Sequence, residues 1–247
     1  MSTLFISDLH GCIAELQELC DTRLHPSLLA GNSCVFIGDL FDRGPDSLGV
    51  VRLVRELMVQ YPAQVDCLMG NHDEWYLRYA QHEQVKYSTG KNNPMPANPE
   101  KIAIFQKLAS DDFEWLAKRP ITIATPVWLA VHGGVPEGVH QREQLHSKRY
   151  RQRALRLRDL DNNGKMLALG ESGIPWADRY DGRFGKVIYG HHARAEVLRS
   201  AYAIGIDTGC CFGHALTALE LNDRGEEIGI HSIAAKKVYC RYIESEE

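Results

Sequence analysis

No Cys-x-x-Cys pair occurs in the 247 residues, and the seven cysteines are odd in number. Both features argue against a disulfide framework and against a structural zinc knuckle. The chain also lacks an apolar run long enough to span a bilayer, so no membrane partner is expected. It enters a strand at once, without a basic n-region, an h-region or a cleavage site, which points away from secretion. A reducing cytoplasm is the simplest fit. The formal net charge of -4 gives no global bias towards nucleic acid, and nucleic acid is not an expected partner. No repeat and no composition break divides the chain, so residues 1–247 are expected to form a single domain.

What is present is a recurring pattern: an apolar run that stops at Asp, Asn or His beside glycine. Val35-Phe36-Ile37 leads into Gly38-Asp39-Leu40-Phe41-Asp42-Arg43-Gly44. Leu4-Phe5-Ile6 leads into Ser7-Asp8-Leu9-His10-Gly11, and Cys67-Leu68-Met69 into Gly70-Asn71-His72-Asp73. Leu129-Ala130-Val131 leads into His132-Gly133-Gly134, and Val187-Ile188-Tyr189 into Gly190-His191-His192. Each run reads as a buried strand whose C-terminal end carries a ligand-type residue to the edge where open α/β sheets bind. A single such histidine is usually structural. Five strand ends of this kind point to one dispersed metal site.

Between the runs the periodicity changes to helical. Ile13, Leu16, Leu19 and Cys20 predict a helix over Ile13 to Thr22, and Leu48, Val51, Val54 and Met58 a second one opened by Pro45-Asp46-Ser47. Strand, helix, strand, helix, strand is the order of a parallel α/β core. A helix is expected from Asp73 to about His82, a loop from Lys86 to Pro99, and a helix from Glu100 to Lys118. From Val187 onward short strands dominate, and this third is expected to form a β-rich sheet stacked on the first. Lys148 to Arg158 is strongly basic. It reads as a solvated helix face on an insertion at about 140–170, or as a cap that attracts a polyanionic substrate.

Two divalent cations a few Å apart need a shared carboxylate between them, and Asp39 is placed to be that bridge. Asp8 and His10 would complete the first cation's ligands, and Asn71, His132 and His191 would hold the second. Carboxylate, amide and imidazole without thiolate favour Mn²⁺, with Fe, Zn, Co or Ni as alternatives, over purely oxygen-bound Mg²⁺ or Ca²⁺. Such a pair activates water and polarises a phosphoryl oxygen for in-line attack. Arg43 would then grip phosphate oxygens in its planar fork. His72, next to a ligand, would protonate the leaving oxygen, with Asp42 orienting it and keeping it cationic near neutral pH.

Asp8-Leu9-His10-Gly11, Gly38-Asp39 through Gly44, Gly70-Asn71-His72, His132-Gly133-Gly134 and Gly190-His191 resemble, in order, the motifs of calcineurin-like metallophosphoesterases. The likeness spans nearly the whole chain and is closest to the phosphoprotein phosphatase branch. Ala193 stands where many nucleases and phosphodiesterases of the superfamily carry a second histidine, which fits that branch. The resemblance implies an α/β fold of four layers, two stacked mixed β-sheets flanked by helices, with the dinuclear site on one edge. It also implies a second phosphate-binding arginine, for which Arg179 is the candidate and Arg183 and the basic segment are rivals. Ile206-Asp207-Thr208-Gly209 through Thr217 is similar to the tails of phage-type protein phosphatases and of bacterial symmetrical diadenosine tetraphosphatases.

The expected function is therefore metal-dependent phosphomonoester hydrolysis, first as a serine/threonine protein phosphatase acting on a phosphorylated protein or a small phosphorylated substrate. Symmetrical cleavage of diadenosine tetraphosphate to two ADP is the alternative. Tetraphosphatases often lack the aspartate at the position of Asp42, which this chain keeps. A non-catalytic scaffold of the same fold would show eroded ligands, and none is missing.

Overall fold

The structure is a computed structural model that describes residues 1–168 and 170–241. Leu169, in the expected insertion, and residues 242–247, at the end of the expected domain, lie outside the described residues.

In chain order the first half is β1 (Ser2–Ile6), α1 (Ile13–Leu19), α2 (His25–Leu29), β2 (Ser33–Phe36), α3 (Ser47–Gln60), β3 (Val65–Cys67), α4 (Asn71–Thr89), α5 (Pro99–Phe105) and α6 (Ser110–Ala117). The second half holds β4 (Thr122–Ala124), β5 (Trp128–Val131), α7 (Arg151–Arg156), β6 (Asp159–Leu160), β7 (Ile174–Pro175) and α8 (Trp176–Arg179). It closes with β8 (Lys186–Tyr189), β9 (Leu198–Arg199), β10 (Ala203–Gly205), β11 (Ala215–Asn222) and β12 (Glu227–Ala234).

Two mixed sheets follow the orders β12-β11-β1-β2-β3 and β4-β5-β8-β10-β9. Side-chain alternation along the strands explains the layering, because successive residues face opposite sides. Phe5, Val35, Leu219 and Leu221 of the first sheet meet Trp128, Ala130 and Ile188 of the second in one apolar cluster between the sheets. Their neighbours Ile6, Cys34, Phe36, Leu216 and Ala218 turn the other way, onto α1 and α3. On the outer side of the second sheet Leu129, Val131 and Val187 pack against Leu155, Trp176 and Tyr180. Each such fully buried aliphatic contributes about 1.5–3 kcal/mol. The result is the expected α/β sandwich of two mixed sheets flanked by helices.

β1, β2 and β3 run parallel, as do β5 and β8. Parallel pairing is what brings the five strand ends to a common edge. The C-terminal third differs from expectation. Only β8, β9 and β10 join the second sheet; β11 pairs antiparallel with β1 and carries β12 onto the edge of the first. Periodicity marks these segments as strands but holds no record of their partner.

Three helix boundaries also move. The first helix continues past Leu19 as a π-helical turn, Cys20–Leu24, into α2, whose first turn accommodates Pro26. α4 runs from Asn71 to Thr89 and is closed by Gly90 at φ 73°, so Asn71 and His72 occupy a helical first turn rather than a loop. The helix expected from Glu100 to Lys118 is two helices, α5 and α6, separated at residues 106–109.

Candidate metal centre

Asp39 lies at the middle of the site and is buried. On one side its Oδ2 is 3.5 Å from His10 Nε2, and on the other 3.4 Å from His132 Nε2. Two groups of ligand-type side chains share it: His10, Asp39 and His72, and Asp39, His132 and His191. The structure thus brings the expected bridge, His10, His132 and His191 together. Asn71 and Asp8 belong to the same cluster. Asn71 Oδ1 is 3.0 Å from His132 Nε2, and the Asp8 carboxylate accepts the His191 N–H at 3.0 and 3.1 Å.

The backbone fixes which imidazole nitrogens face inward. His10 Nδ1 donates to the Phe41 carbonyl (2.8 Å), and His132 Nδ1 donates to the Ile37 carbonyl (2.9 Å). Both rings therefore present Nε2 to Asp39, the outer-hydrogen-bond arrangement usual for metal-binding histidines. His132 Nε2 then faces two oxygens and needs a proton or a cation there. Burial opposes the proton, yet Asp39 and Asp8 hold the His132 pKa up at about 9. Burial likewise opposes ionised Asp39, but His132, His72 and His10 hold its carboxyl well below the ordinary range. Burial and nearby Asp207 push Asp8 well above it.

Several buried atoms have no hydrogen-bond partner among the described residues: Asp39 Oδ2, His72 Nε2 and both ring nitrogens of His191. Buried polar atoms are rarely left so, and the cost of each is about 1–3 kcal/mol. Orphaned carboxylate and imidazole atoms converging on one point fit divalent cations.

The chain is also strained here. His10, Asp39, Asp42, Arg43 and His191 have positive φ between 40° and 71°, and no other non-glycine residue among the described residues does. Such conformations cost of order 1 kcal/mol or more and gather at functional sites. The strand-end loops turn sharply enough to aim these side chains inward.

His72 follows Asn71 in the first turn of α4 and points its Nδ1 at Asp42 Oδ2, donating over 2.6 Å. Asp42 also accepts from the Tyr76 hydroxyl and pairs with Lys101 Nζ at 3.1 Å. Against burial, these contacts hold Asp42 well below the usual carboxylate range, His72 foremost. His72 differs from expectation. Burial, with Arg43 nearby, lowers its pKa despite the Asp42 contact, so that contact alone does not make the imidazole cationic near neutral pH. Its ring also lies close enough to ligand atoms of His10 and Asp39 to serve as a ligand.

Arg43 Nη1 sits 2.7 Å from His10 Nε2, and its guanidinium lies 5.3 Å from the Phe212 ring centroid. It must leave His10 before that nitrogen can bind a cation. Arg179 is not brought to the centre. Its guanidinium donates to the Asp161 carbonyl (2.9 Å) and pairs with Glu137 at 3.6 Å. Arg183 bonds Asp181 and the Val139 carbonyl. His192 faces Asp159 and Arg194 instead of the centre.

Sequence reasoning missed Tyr76, Lys101 and Asp73. Tyr76 lies one turn beyond His72, so helical spacing alone could have found it. Nothing local marks Lys101. A cavity of about 480 Å³ opens beside His72 and Asn71, and Lys101, Trp75 and Arg156 line it.

The Calcineurin-like phosphoesterase family model matches residues 1–217. The chain is 27% identical to the asymmetrical bis(5'-nucleosyl)-tetraphosphatase PrpE of Oceanobacillus iheyensis, over 89% of this chain and 88% of that one. It is also 27% identical to the symmetrical bis(5'-nucleosyl)-tetraphosphatase of Janthinobacterium sp. (strain Marseille), over 91% and 94%. Among solved structures, a candidate diadenosine tetraphosphatase superposes with a TM-score of 0.72 at 24% identity, covering 95% of this chain and 93% of that one.

Proposed function

The chain belongs to the calcineurin-like phosphoesterases, and from that premise we propose that it hydrolyses a phosphoanhydride bond of dinucleoside tetraphosphates. This places the tetraphosphatase reading ahead of the protein phosphatase that the motifs alone put first. The observation that carries it is the cavity of about 480 Å³ against His72, lined by Trp75 and three cationic side chains. A single phosphoryl group leaves such a space empty, whereas a polyphosphate with a base attached has use for both the charge and the aromatic surface. The names of the relatives, tetraphosphatases of both cleavage types, support the same substrate class.

Asp8, His10, Asp39, Asn71, His132 and His191 would hold two divalent cations, manganese by preference. Cations bound there would polarise the phosphoryl oxygens and acidify the attacking water. Arg43, once off His10, binds non-bridging oxygens and orients the phosphoryl group. His72 points its unpartnered Nε2 into the site, with Asp42 holding Nδ1–H and Tyr76 holding Asp42; the charge of a bound polyphosphate would favour a second proton at Nε2, and that proton passes to the leaving oxygen.

A second reading, phosphomonoester hydrolysis on phosphoserine or phosphothreonine, is favoured by the buried Asp42–His72 pair. An alkoxide needs a protonating group far more than a nucleotide leaving group does. The test is a panel with Mn²⁺: diadenosine tetraphosphate, a phosphopeptide and an aryl phosphate compared by kcat/KM. The tetraphosphate should be preferred, activity should vanish with chelator, and chromatography should give two ADP or ATP plus AMP, which assigns the cut. A higher kcat/KM on the phosphopeptide would overturn the first reading in favour of the second.

A further inference from the structure

The cavity beside His72 has a composition unlike the rest of this net-acidic chain. Its walls come from one face of α4, from the 95–98 loop, from α5 and from α7 in the basic segment. Arg78, Lys101 and Arg156 supply cations, Trp75, Met95 and Pro96 supply apolar surface, and no carboxylate is among the lining residues described. Its volume of about 480 Å³ lies within the roughly 300–1,000 Å³ of small-molecule sites.

Two details give the walls distinct tasks. One face of the Trp75 indole is covered by Tyr79, stacked at 4.7 Å and 17°, which holds the ring rigid. The Lys101 ammonium lies 4.8 Å from the Trp75 centroid and also 3.1 Å from Asp42 Oδ2. Lys101 therefore stands between the indole and the His72–Asp42 pair, only 13% exposed. Arg156 reaches the cavity while tethered to Glu74 at 3.3 Å, and Arg78 is exposed with no ion pair among the described residues.

Resting on the tetraphosphatase reading, we propose that this cavity is the subsite for one nucleotide half of the substrate, with a base stacked on Trp75 and phosphates held by Lys101 and Arg156. A phosphate draws Lys101 off the indole face, and the base takes the place the ammonium leaves. Trp75 and Lys101 are thus specificity-determining residues. Stacking on an aromatic side chain is sequence-tolerant, so adenine and guanine nucleotides should both bind.

The test is direct binding of ADP and of inorganic pyrophosphate to the full chain with Mn²⁺, by calorimetry. ADP should bind tighter than pyrophosphate. Trp75→Leu should weaken ADP roughly tenfold, in line with one lost base stack, and leave pyrophosphate binding in place as proof of folding. Trp75→Phe should recover most of the loss, and Lys101→Met should weaken both ligands. ADP binding that ignores Trp75→Leu, or that is no tighter than pyrophosphate, overturns the subsite. So does a phosphopeptide whose binding depends on Trp75 when that of ADP does not. The two readings fail separately. If diadenosine tetraphosphate is not cut but ADP still depends on Trp75, the hydrolytic reading falls and the subsite stands. If the substrate is cut and ADP ignores Trp75, the subsite alone falls.

Discussion

Asp42 accepts from His72 and Tyr76 and pairs with Lys101, so three side chains share one buried carboxylate. Its removal would leave the imidazole unoriented while Asp39, His10 and His132 keep their own hydrogen bonds. His72→Asn should keep both cations by elemental analysis and lower kcat on phosphoserine roughly 10²–10⁴-fold, the usual worth of a positioned acid. The loss should shrink for an aryl phosphate, whose leaving group hardly needs a proton. A lost cation would instead make His72 a ligand, the role its closeness to His10 and Asp39 also permits. Asp39→Asn should be the most damaging ligand change, since it removes the negative charge shared by both clusters. Away from the site, Glu220 accepts from Ser2 and Arg23, with His231 at 3.3 Å. Burial works against the carboxylate, but these partners hold its pKa below the ordinary value. A carboxyl depressed in the folded state stabilises it above the unfolded pKa of about 4.3 and loses that effect as pH falls through the folded value. The stability gap between the wild type and Glu220→Gln should therefore be full at neutral pH and close in acid. Urea titrations across pH would read it, and a gap independent of pH would refute it.

At the scale of elements, the N-terminus of α4 and the loop carrying Asp39 are held by one side chain. The Asp73 carboxylate accepts N–H groups of Gly70 (2.9 Å), Asp39 (3.0 Å) and Leu40 (2.8 Å). Burial and nearby Asp39 push its pKa up to about 7. Gly70 is required at the same junction, because a Cβ there would come within 2.1 Å of Asp39 Oδ1. Asp73→Ala would leave three buried N–H groups without an acceptor, at about 1–3 kcal/mol each. For a chain of this size that is a fall in Tm of roughly 6 °C or more, with weaker Mn²⁺ binding in parallel. Calorimetry on chelated and Mn²⁺-loaded protein measures both. A Tm within about 2 °C of wild type would show that α4 needs no such cap.

Across the whole molecule, buried Glu74 on α4 is what fastens the basic segment to the core. It bonds Arg151 at 3.1 Å, Gln152 at 2.8 Å and Arg156 at 3.3 Å. Two of the positive charges that read as a solvated face, Arg151 and Arg156, therefore serve docking, and Arg156 is carried to the cavity by it. Because Arg151 and Arg156 are 35% and 23% exposed, they can rehydrate when the partner is removed. Glu74→Ala should accordingly change global stability little but speed tryptic cleavage within residues 148–158 several-fold, since proteolysis follows local opening. Unchanged cleavage would mean that packing of Leu155 and Ala154 holds the segment unaided.

The sequence by itself determined the apolar runs that become β1, β2, β3, β5 and β8 and the ligand-type residues that follow them, though not the short strands β6 and β7. Apolar runs, glycines and residue types are local properties, and Asp8, His10, Asp39, Asn71, His132 and His191 could each be read at a strand end. It also held the order of motifs that marks the family, which a match over residues 1–217 bears out. Only the tertiary structure decided the rest. Period-2 alternation does not say which strands pair, so it carries no sign that β11 and β12 join the first sheet and not a separate C-terminal one. An acceptor three residues into α4 moved Asn71 and His72 from a loop onto a helix. Arg179 went to Asp161 and Glu137, while Lys101 came to Asp42 from a separate helix. Those outcomes rest on contacts between segments far apart in the chain. Each is fixed by what the folded neighbours leave unsatisfied, and spacing along the sequence carries no trace of that.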